Sequence, residues 1–572
     1  MPPSSRFVTI GFPLLLVGLG LLFCFQLSAY GFFNGLEART LQTTAEMLAN
    51  WHFTLLTYNG EPLTAHFPFV HYLQAVSIYQ FQDLLTGGRL PSALAGLISV
   101  VVLYLTTLGM SRHPRFSFWV ATLYGLSVGT LLYSRLATPD MVFHLLNLSI
   151  TMMILGNIYN RERSFMRIVV AGFLLALAFL SAGPLAFFVP ALIILTVVLT
   201  MPHPVFNLKC MAPVALLLAC FIALLPWVQF FVEQNSIRAF KELFTPQALN
   251  GYLAPLFTFE TDLSSLRYAL MGMVVLMFPW VVVLPSALLG VLKDFPTRLR
   301  CDDGRMALPA IGVIWLLATF VLIAFLGGKS LSLIMLALPA VCFILADKFA
   351  DIESAPVGFI NFIFMAAIIA GSVWLMLQAE RWPEVLTNLE SYPQVADLLS
   401  LFGLSGFAGS EMWQALLARP LELGNLPLTI ASLLGLSSLA GILLMAQGKQ
   451  AGGLMWALGV WASLMVITLN VMPKVWDYTQ APGQYIGTQI KNQFNHRQDR
   501  LTFYNYSSSA VRLGADASYI ATTSAAQLES LRPPRGRLFI VTPKRYTDGI
   551  ANNTSLIYQT DCLYNLCLLK VE

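Results

Sequence analysis

Charge is what this chain has least of. Of its 572 residues only 11% are Asp, Glu, Lys or Arg, against about 25% in an average soluble domain. That scarcity excludes an ordinary soluble domain. A net charge of +4 spread over such a chain gives no sign of nucleic-acid binding; the basic residues are better read as topology signals. Cysteine is sparse and scattered, at Cys24, Cys210, Cys220, Cys301, Cys342, Cys562 and Cys567, with no spacing that suggests a metal cage. Only Cys562 and Cys567 lie close together in a polar stretch, where an extracytoplasmic setting would let them form a disulfide. Internal repeats and low-complexity tracts are missing too, which argues against an alternating-access transporter built from repeats.

What is abundant is hydrocarbon. Hydrophobic residues make up 57% of the chain and the mean hydropathy is +0.70. A membrane span needs about 20 apolar residues. Spans are expected near 7–29, 90–110, 116–134, 141–159, 168–181, 184–201, 211–232, 266–292, 307–326, 331–346, 357–379, 427–446 and 453–472, thirteen in all. The first run is too long for a signal-peptide core and has no small-residue cleavage site, so it reads as a retained anchor.

The positive-inside rule orients these spans. With Arg6 inside, strict alternation puts Arg112, Arg115, Arg161, Arg163, Arg167, Lys209, Lys293, Arg298, Arg300, Arg305, Lys348 and Lys449 in inside loops. The short outside turns then hold only Arg135 and Lys329. An odd number of spans places the tail outside. The expected organisation is a polytopic α-helical membrane domain over 1–472, with outer segments at 30–89, 233–265 and 380–426, and a small outer α/β domain over 473–572. Runs such as LTFYNY and RLFIVT, bounded by Gly, Pro and Asn, read as strands of that domain. The first outer segment contains apolar pieces too short to span, such as Phe67 to Phe81, expected as amphipathic helices at the interface. Trp51, Trp227, Trp280 and Trp476 near span ends read as aromatic-belt residues.

Charges at the rim of a bilayer are costly and therefore functional candidates. Four groups fall on the outer face: Glu37 with Arg39 after the first span, Arg89 before the second, Asp140 with Arg135 in YSRLATPDM, and Lys329 in LGGKS. Two carboxylates and several cations on one face suit transfer from an anionic, phosphate-bearing donor. The cations would hold the phosphate and a carboxylate would take the acceptor's proton. Each has a plainer reading beside it. Glu37 can pair with Arg39 in a hydrated loop, Asp140 can begin a helix after Pro139, Lys329 can snorkel to headgroups, and Arg89 can anchor the interface. His66 and His71 lie five apart and read first as packing residues, since a third metal ligand is missing.

The stretches LEART, AEMLANWHFTLLTYNGEPLTAHFP, HYLQA, GGRLPSAL, YSRLATPDM, SAGPLAFFVPAL, PWVVVLPSALL and LGGKSLSLIMLALPA resemble, in order over roughly residues 1–350, bacterial glycosyltransferases of the GT-C superfamily. The branch is that of the aminoarabinose transferases and protein O-mannosyltransferases. The resemblance implies a bacterial inner-membrane enzyme with its N-terminus cytoplasmic and its tail periplasmic. It implies inverting transfer of a sugar from a polyprenyl (undecaprenyl) phosphate to a periplasmic lipid, glycan or protein. Glu37 and Asp140 would be the catalytic acids, with Arg39, Arg89, Lys329 and His66 as substrate contacts. The sequence specifies no cofactor, although a divalent metal ion is compatible with such a site.

The polar groups match less well than the scaffold. The family's Asp-Glu-x-Arg is Leu36-Glu37-Ala38-Arg39 here, so the leading acid is Leu36. Its Phe-Glu-Lys-Pro becomes Ala65-His66-Phe67-Pro68, and its Thr-Lys-Gly-Pro becomes Ser181-Ala182-Gly183-Pro184. Lys329 is kept while the following tyrosine is Leu333, and Asp140 is intact. These losses leave a rival expectation: a catalytically silent relative that binds a lipid-linked glycan or a partner protein.

Overall fold

The computed structural model describes residues 3–191, 206–242, 263–326, 331–350 and 426–571, apart from 33–34, 59, 64–66, 160–163, 188–189, 236, 302, 480, 496–497, 505–510, 512–513, 516, 518, 523, 554–557 and 564–565. The chain divides into two compact units, one of 1–27, 43–376 and 427–467, the other of 28–42, 377–426 and 468–572.

The first unit is a helical membrane bundle. Among the described residues, seven helices are long and apolar enough to cross a bilayer, and two bent pairs could each make one more span. The runs expected at 184–201 and 357–379 lie largely or wholly outside the described residues, as do most of the outer segments at 233–265 and 380–426. Helices α1 (Pro3–Cys24), α4 (Leu84–Ser111), α5 (Pro114–Gly125), α6 (Val128–Ser134), α7 (Asp140–Tyr159) and α8 (Phe165–Ala182) follow the apolar runs. The expected 116–134 span is broken: α5 and α6 meet at 59°, where Ser127 accepts the amide of Thr130 at 3.2 Å and starts a new helix. The 266–292 run is bent by 111° at a break between two helices.

Small residues let these helices approach closely, as lipid-embedded packing requires. A methyl on Gly96 of α4 would lie 2.1 Å from Ser134 Oγ, and one on Gly172 of α8 would lie 2.5 Å from the carbonyl of Leu216. Trp280 does not sit in an aromatic belt. It is fully buried, its ring 5.0 Å from that of Trp456 and 6.0 Å from that of Phe349. Its flanking prolines and valines put it inside the bent pair rather than at a span end.

The segment between α1 and α4 holds α2 (Gly35–Asn50), a two-stranded hairpin (β1 Thr57–Tyr58, β2 Glu61–Pro62) and α3 (Phe69–Phe81). Helix α4 begins earlier than its hydropathy suggests because Asp83 caps it, accepting the amide of Thr86 at 2.8 Å. Burial works to raise the Asp83 carboxyl, but hydrogen bonds from Thr86 and from the Leu85 amide, with the charge of Arg89, hold it below the usual carboxylate range. Arg89 therefore lies inside a helix, not ahead of one.

In the second unit, strands β3 (Arg500–Tyr504), β4 (Tyr519–Thr522), β5 (Leu538–Pro543), β6 (Tyr558–Leu563) and β7 (Leu566–Val571) form a sheet in the order β4-β3-β5-β7-β6. The β3 pairings to β4 and β5 are parallel, and β7 is antiparallel to both its neighbours. Alternate side chains of β5 enter two cores: Phe539 and Val541 join Ile486, Ile490 and Phe503, while Leu538 and Ile540 join Leu528, Ile550 and Leu569. A strand buried on both faces reads as the continuous apolar run seen in LFIV. Cys562 and Cys567 are bonded across the β6–β7 turn.

Candidate active site

Asp140 is the first residue of α7, directly after Pro139, where the helix dipole favours a carboxylate. It is half-buried. Its Oδ1 accepts the hydroxyl of Ser332 at 2.6 Å, from the helix Leu331–Met335. Ser332 Oγ also lies 3.3 Å from His144 Nε2. A serine hydroxyl has one proton, and here Asp140 takes it, so the imidazole must donate from Nε2. His144 stands four residues after Asp140, on the same helical face. The result is a short donor chain, histidine to serine to carboxylate, tying α7 to the helix that follows LGGK.

The approach to Asp140 is held from several sides. Arg135 reaches the end of α1, donating from Nη1 to the carbonyls of Leu22 at 2.9 Å, Phe25 at 3.0 Å and Phe23 at 3.4 Å, and from Nη2 to Gln26 at 3.1 Å. The carbonyls of Leu22 and Phe23 are among those a helix C-terminus leaves without intrahelical partners, and those of Phe25 and Gln26 follow directly after α1. The carbonyl of Ala137 accepts Gln74 Nε2 at 3.1 Å, and that of Thr138 accepts Ser92 Oγ at 3.3 Å. Arg89 is fully buried and donates from Nη1 to the Leu27 carbonyl at 2.5 Å. That contact gives it a place in holding the chain after α1, beside any contact with substrate.

Glu37 and Arg39 fall in the second unit, in the opening turns of α2. A helix, not a loop, carries them, so residues two apart point to different faces. The hydrated loop expected around Glu37 is instead a helix in which Glu37 is buried. The helix also separates the family's acid position from the acid that is present: Leu36 is 52% exposed, whereas Glu37 is fully buried. One residue along α2 turns the side chain by about 100°. Lys329 and His66 lie outside the described residues. No cluster of three or more potential metal ligands occurs among the described residues.

Among the substituted family positions, Phe67 is buried against Phe179 at 4.9 Å and Trp227 at 6.4 Å, and Leu333 is buried as well. Ser332 and His144 escape a sequence reading that looks only for charges. The pattern D-M-V-F-H entering an apolar span was their signal, since two polar groups four apart in hydrocarbon need each other or a ligand.

Comparison with known proteins gives this geometry a family context. The model for dolichyl-phosphate-mannose-protein mannosyltransferases matches residues 65–230. An undecaprenyl phosphate-α-4-amino-4-deoxy-L-arabinose arabinosyl transferase of Pseudomonas fluorescens is 28% identical over 358 residues, 59% of this chain and 56% of that protein. A second, from another strain of that species, is 24% identical over 473 residues, 78% of this chain and 76% of that protein. At 56%, the first of these alignments spans only about half the length of the relative it matches. The crystal structure of ArnT from Cupriavidus metallidurans bound to undecaprenyl phosphate superposes with a TM-score of 0.70 at 16% identity, covering 98% of each chain. Its apo form gives 0.69 over the same share. The protein is therefore a polytopic membrane protein of the GT-C fold. Within that class it is similar to the aminoarabinose transferases and the protein mannosyltransferases, whose named members are glycosyltransferases.

Proposed function

We propose that this chain is an inverting glycosyltransferase that moves a sugar from a polyprenyl-phosphate carrier to an extracytoplasmic acceptor, a lipid, a glycan or a protein. The observation that carries this reading is Asp140: a carboxylate at the mouth of a membrane helix, oriented by Ser332, in a GT-C fold whose relatives bear the names of lipid-linked sugar transferases. In the proposed reaction the acceptor hydroxyl attacks the sugar carbon. Its proton passes to the carboxylate of Asp140 or Glu37, and the bond from that carbon to the phosphate oxygen breaks. The departing polyprenyl phosphate keeps the electron pair, and Arg39 and Lys329 offset its charge. Lys329 lies three residues before Ser332 in the chain. On this reading the chain crosses a bacterial inner membrane thirteen times with its N-terminus cytoplasmic. The 473–572 tail, on the periplasmic side, helps choose the acceptor.

The exposed Leu36 supports a second reading, a silent relative that holds a lipid-linked glycan without transferring its sugar. One experiment separates the two. The purified chain in lipid nanodiscs is given undecaprenyl phosphate-α-4-amino-4-deoxy-L-arabinose and bacterial envelope lipids, and release of undecaprenyl phosphate is followed. Turnover by the natural sequence supports the enzyme. Turnover only by Leu36→Asp makes the natural chain a binder.

A further inference from the structure

The HYLQA motif has no part in the chemistry proposed so far, yet its glutamine joins three segments near Asp140. Gln74 of α3 is fully buried. Its Oε1 accepts the hydroxyl of Thr44 at 2.8 Å, and its Nε2 donates to the carbonyls of Gly88 at 3.2 Å and Ala137 at 3.1 Å. An amide has two N–H donors, and both are used here, each on a different segment. Thr44 is also fully buried, and its Oγ1 lies 2.7 Å from Nδ1 of the buried His71. Because the threonine proton goes to Gln74, this second contact runs from the imidazole, fixing His71 with its proton on Nδ1.

Each partner of Gln74 matters to the proposed site. Thr44 lies on α2, seven residues after Glu37, so the two share a helical face about 10 Å apart. Gly88 adjoins Arg89, which holds the chain after α1. Ala137 is three residues before Asp140, in a stretch with no helical bonds of its own. One side chain therefore fastens the Thr44 turn of α2, the start of α4 and the segment that leads into Asp140.

We propose that Gln74, with Thr44 behind it, is a positioning residue for sugar transfer: it fixes the Asp140 segment against α2. This inference rests on the glycosyltransferase reading. A glutamine is required because glutamate, nearly identical in shape, would turn two donors into acceptors facing two carbonyls. Asparagine is one methylene too short to reach all three partners.

The test uses the full chain in nanodiscs with the same aminoarabinose donor. Gln74→Glu and Thr44→Val are compared with Thr44→Ser, which keeps the hydroxyl, and with Ser463→Ala, a buried hydroxyl on the helix Ala451–Val466. A displacement of about 1 Å at a reacting group costs on the order of a hundredfold in rate. The expected result is therefore a ten- to hundredfold (roughly) fall in kcat for Gln74→Glu and Thr44→Val, at a donor KM changed by less than about threefold. Thr44→Ser and Ser463→Ala should match the natural chain. A purely structural residue would lower the melting temperature and leave kcat per folded molecule unchanged, and that outcome overturns the proposal. Should Gln74→Glu fail to fold, Thr44→Val against Thr44→Ser decides the question. Should the natural chain release no undecaprenyl phosphate, the glycosyltransferase reading fails instead, and hydrogen exchange then judges the brace. Faster exchange across 136–141 in Thr44→Val but not in Ser463→Ala upholds it, and equal exchange refutes it.

Discussion

Arg135 offers the sharpest structural test, because one side chain gathers the loose end of a membrane helix. Three of its four bonds to the α1 terminus are 3.1 Å or shorter. A hydrogen bond to a charged group contributes about 1.5–3 kcal/mol net. Arg135→Met removes all three and leaves carbonyls of Leu22, Phe25 and Gln26 to find water at the rim, which recovers part of the loss. About 3 kcal/mol is a fair expectation for the local opening of α1's last turn. Arg135→Lys should lose roughly half of that, since a compact ammonium lacks the planar spread of donors that the guanidinium aims at separate carbonyls. The assay is built in: Cys24 is the last residue of α1 and carries a free thiol. In a Cys210→Ser, Cys301→Ser background, maleimide labelling of Cys24 through the opened state should rise by about a hundredfold in Arg135→Met, as 1.4 kcal/mol corresponds to tenfold in an equilibrium. Arg112→Met, at an exposed position, should leave the rate alone. A labelling rate within twofold of the natural chain in Arg135→Met would refute the reasoning.

Two further outcomes follow from packing and charge. Trp280→Ala should destabilise the membrane unit by about 3–5 kcal/mol through the cavity it leaves against Trp456 and Phe349, seen as a lower melting temperature in detergent; an unchanged midpoint contradicts its burial. In the second unit, the Asp499 carboxylate accepts the amide of Arg537 at 2.8 Å, the amide of Asn495 at 2.9 Å and the Arg537 guanidinium at 3.0 Å. Burial works to raise this carboxyl, but those bonds and that charge hold it below the usual carboxylate range. A depressed native value means stability that is fully present above the unfolded pKa of about 3.9 and is lost as pH falls toward the native one. The tail's unfolding midpoint should therefore drop on acidification from about pH 5 to pH 3, and Asp499→Asn should flatten that slope; an equal slope in both would remove the ion pair from the account.

How much of this could be read from the letters depends on the interaction concerned. Apolar runs placed α7 and α8 and the end of α4 to within a few residues, because a bilayer imposes one length on every span, whereas the start of α4 lies six residues earlier, where Asp83 caps it. The bend after Leu126 was hidden, since both halves of that run are equally apolar and only Ser127 records the break. The continuous apolar run of β5 was legible for the same reason as the spans: burial on both faces leaves no room for polar residues. Charges were easy to find and hard to assign. Arg89 and Arg135 look like phosphate clamps among the rim cations, but in three dimensions both reach backbone carbonyls at or just after the end of α1, partners that carry no sequence signature. Glu37 was visible as an acid, while its pointing about 100° away from Leu36 became evident only once α2 was seen to begin at Gly35. Gln74 and Ser332 are neutral, and nothing in a one-dimensional pattern distinguishes a glutamine that joins three segments from one facing lipid headgroups.

The central claim is that Asp140 and Glu37 serve sugar transfer from a polyprenyl-phosphate donor. Its most direct test is single-turnover release of undecaprenyl phosphate by the natural chain and by Asp140→Asn and Glu37→Gln. The asparagine can still accept the Ser332 hydroxyl, so its fold should be kept. A loss of about a hundredfold or more in rate for at least one variant, with melting temperature preserved, is the result the account predicts. Full-speed release by both variants would contradict it.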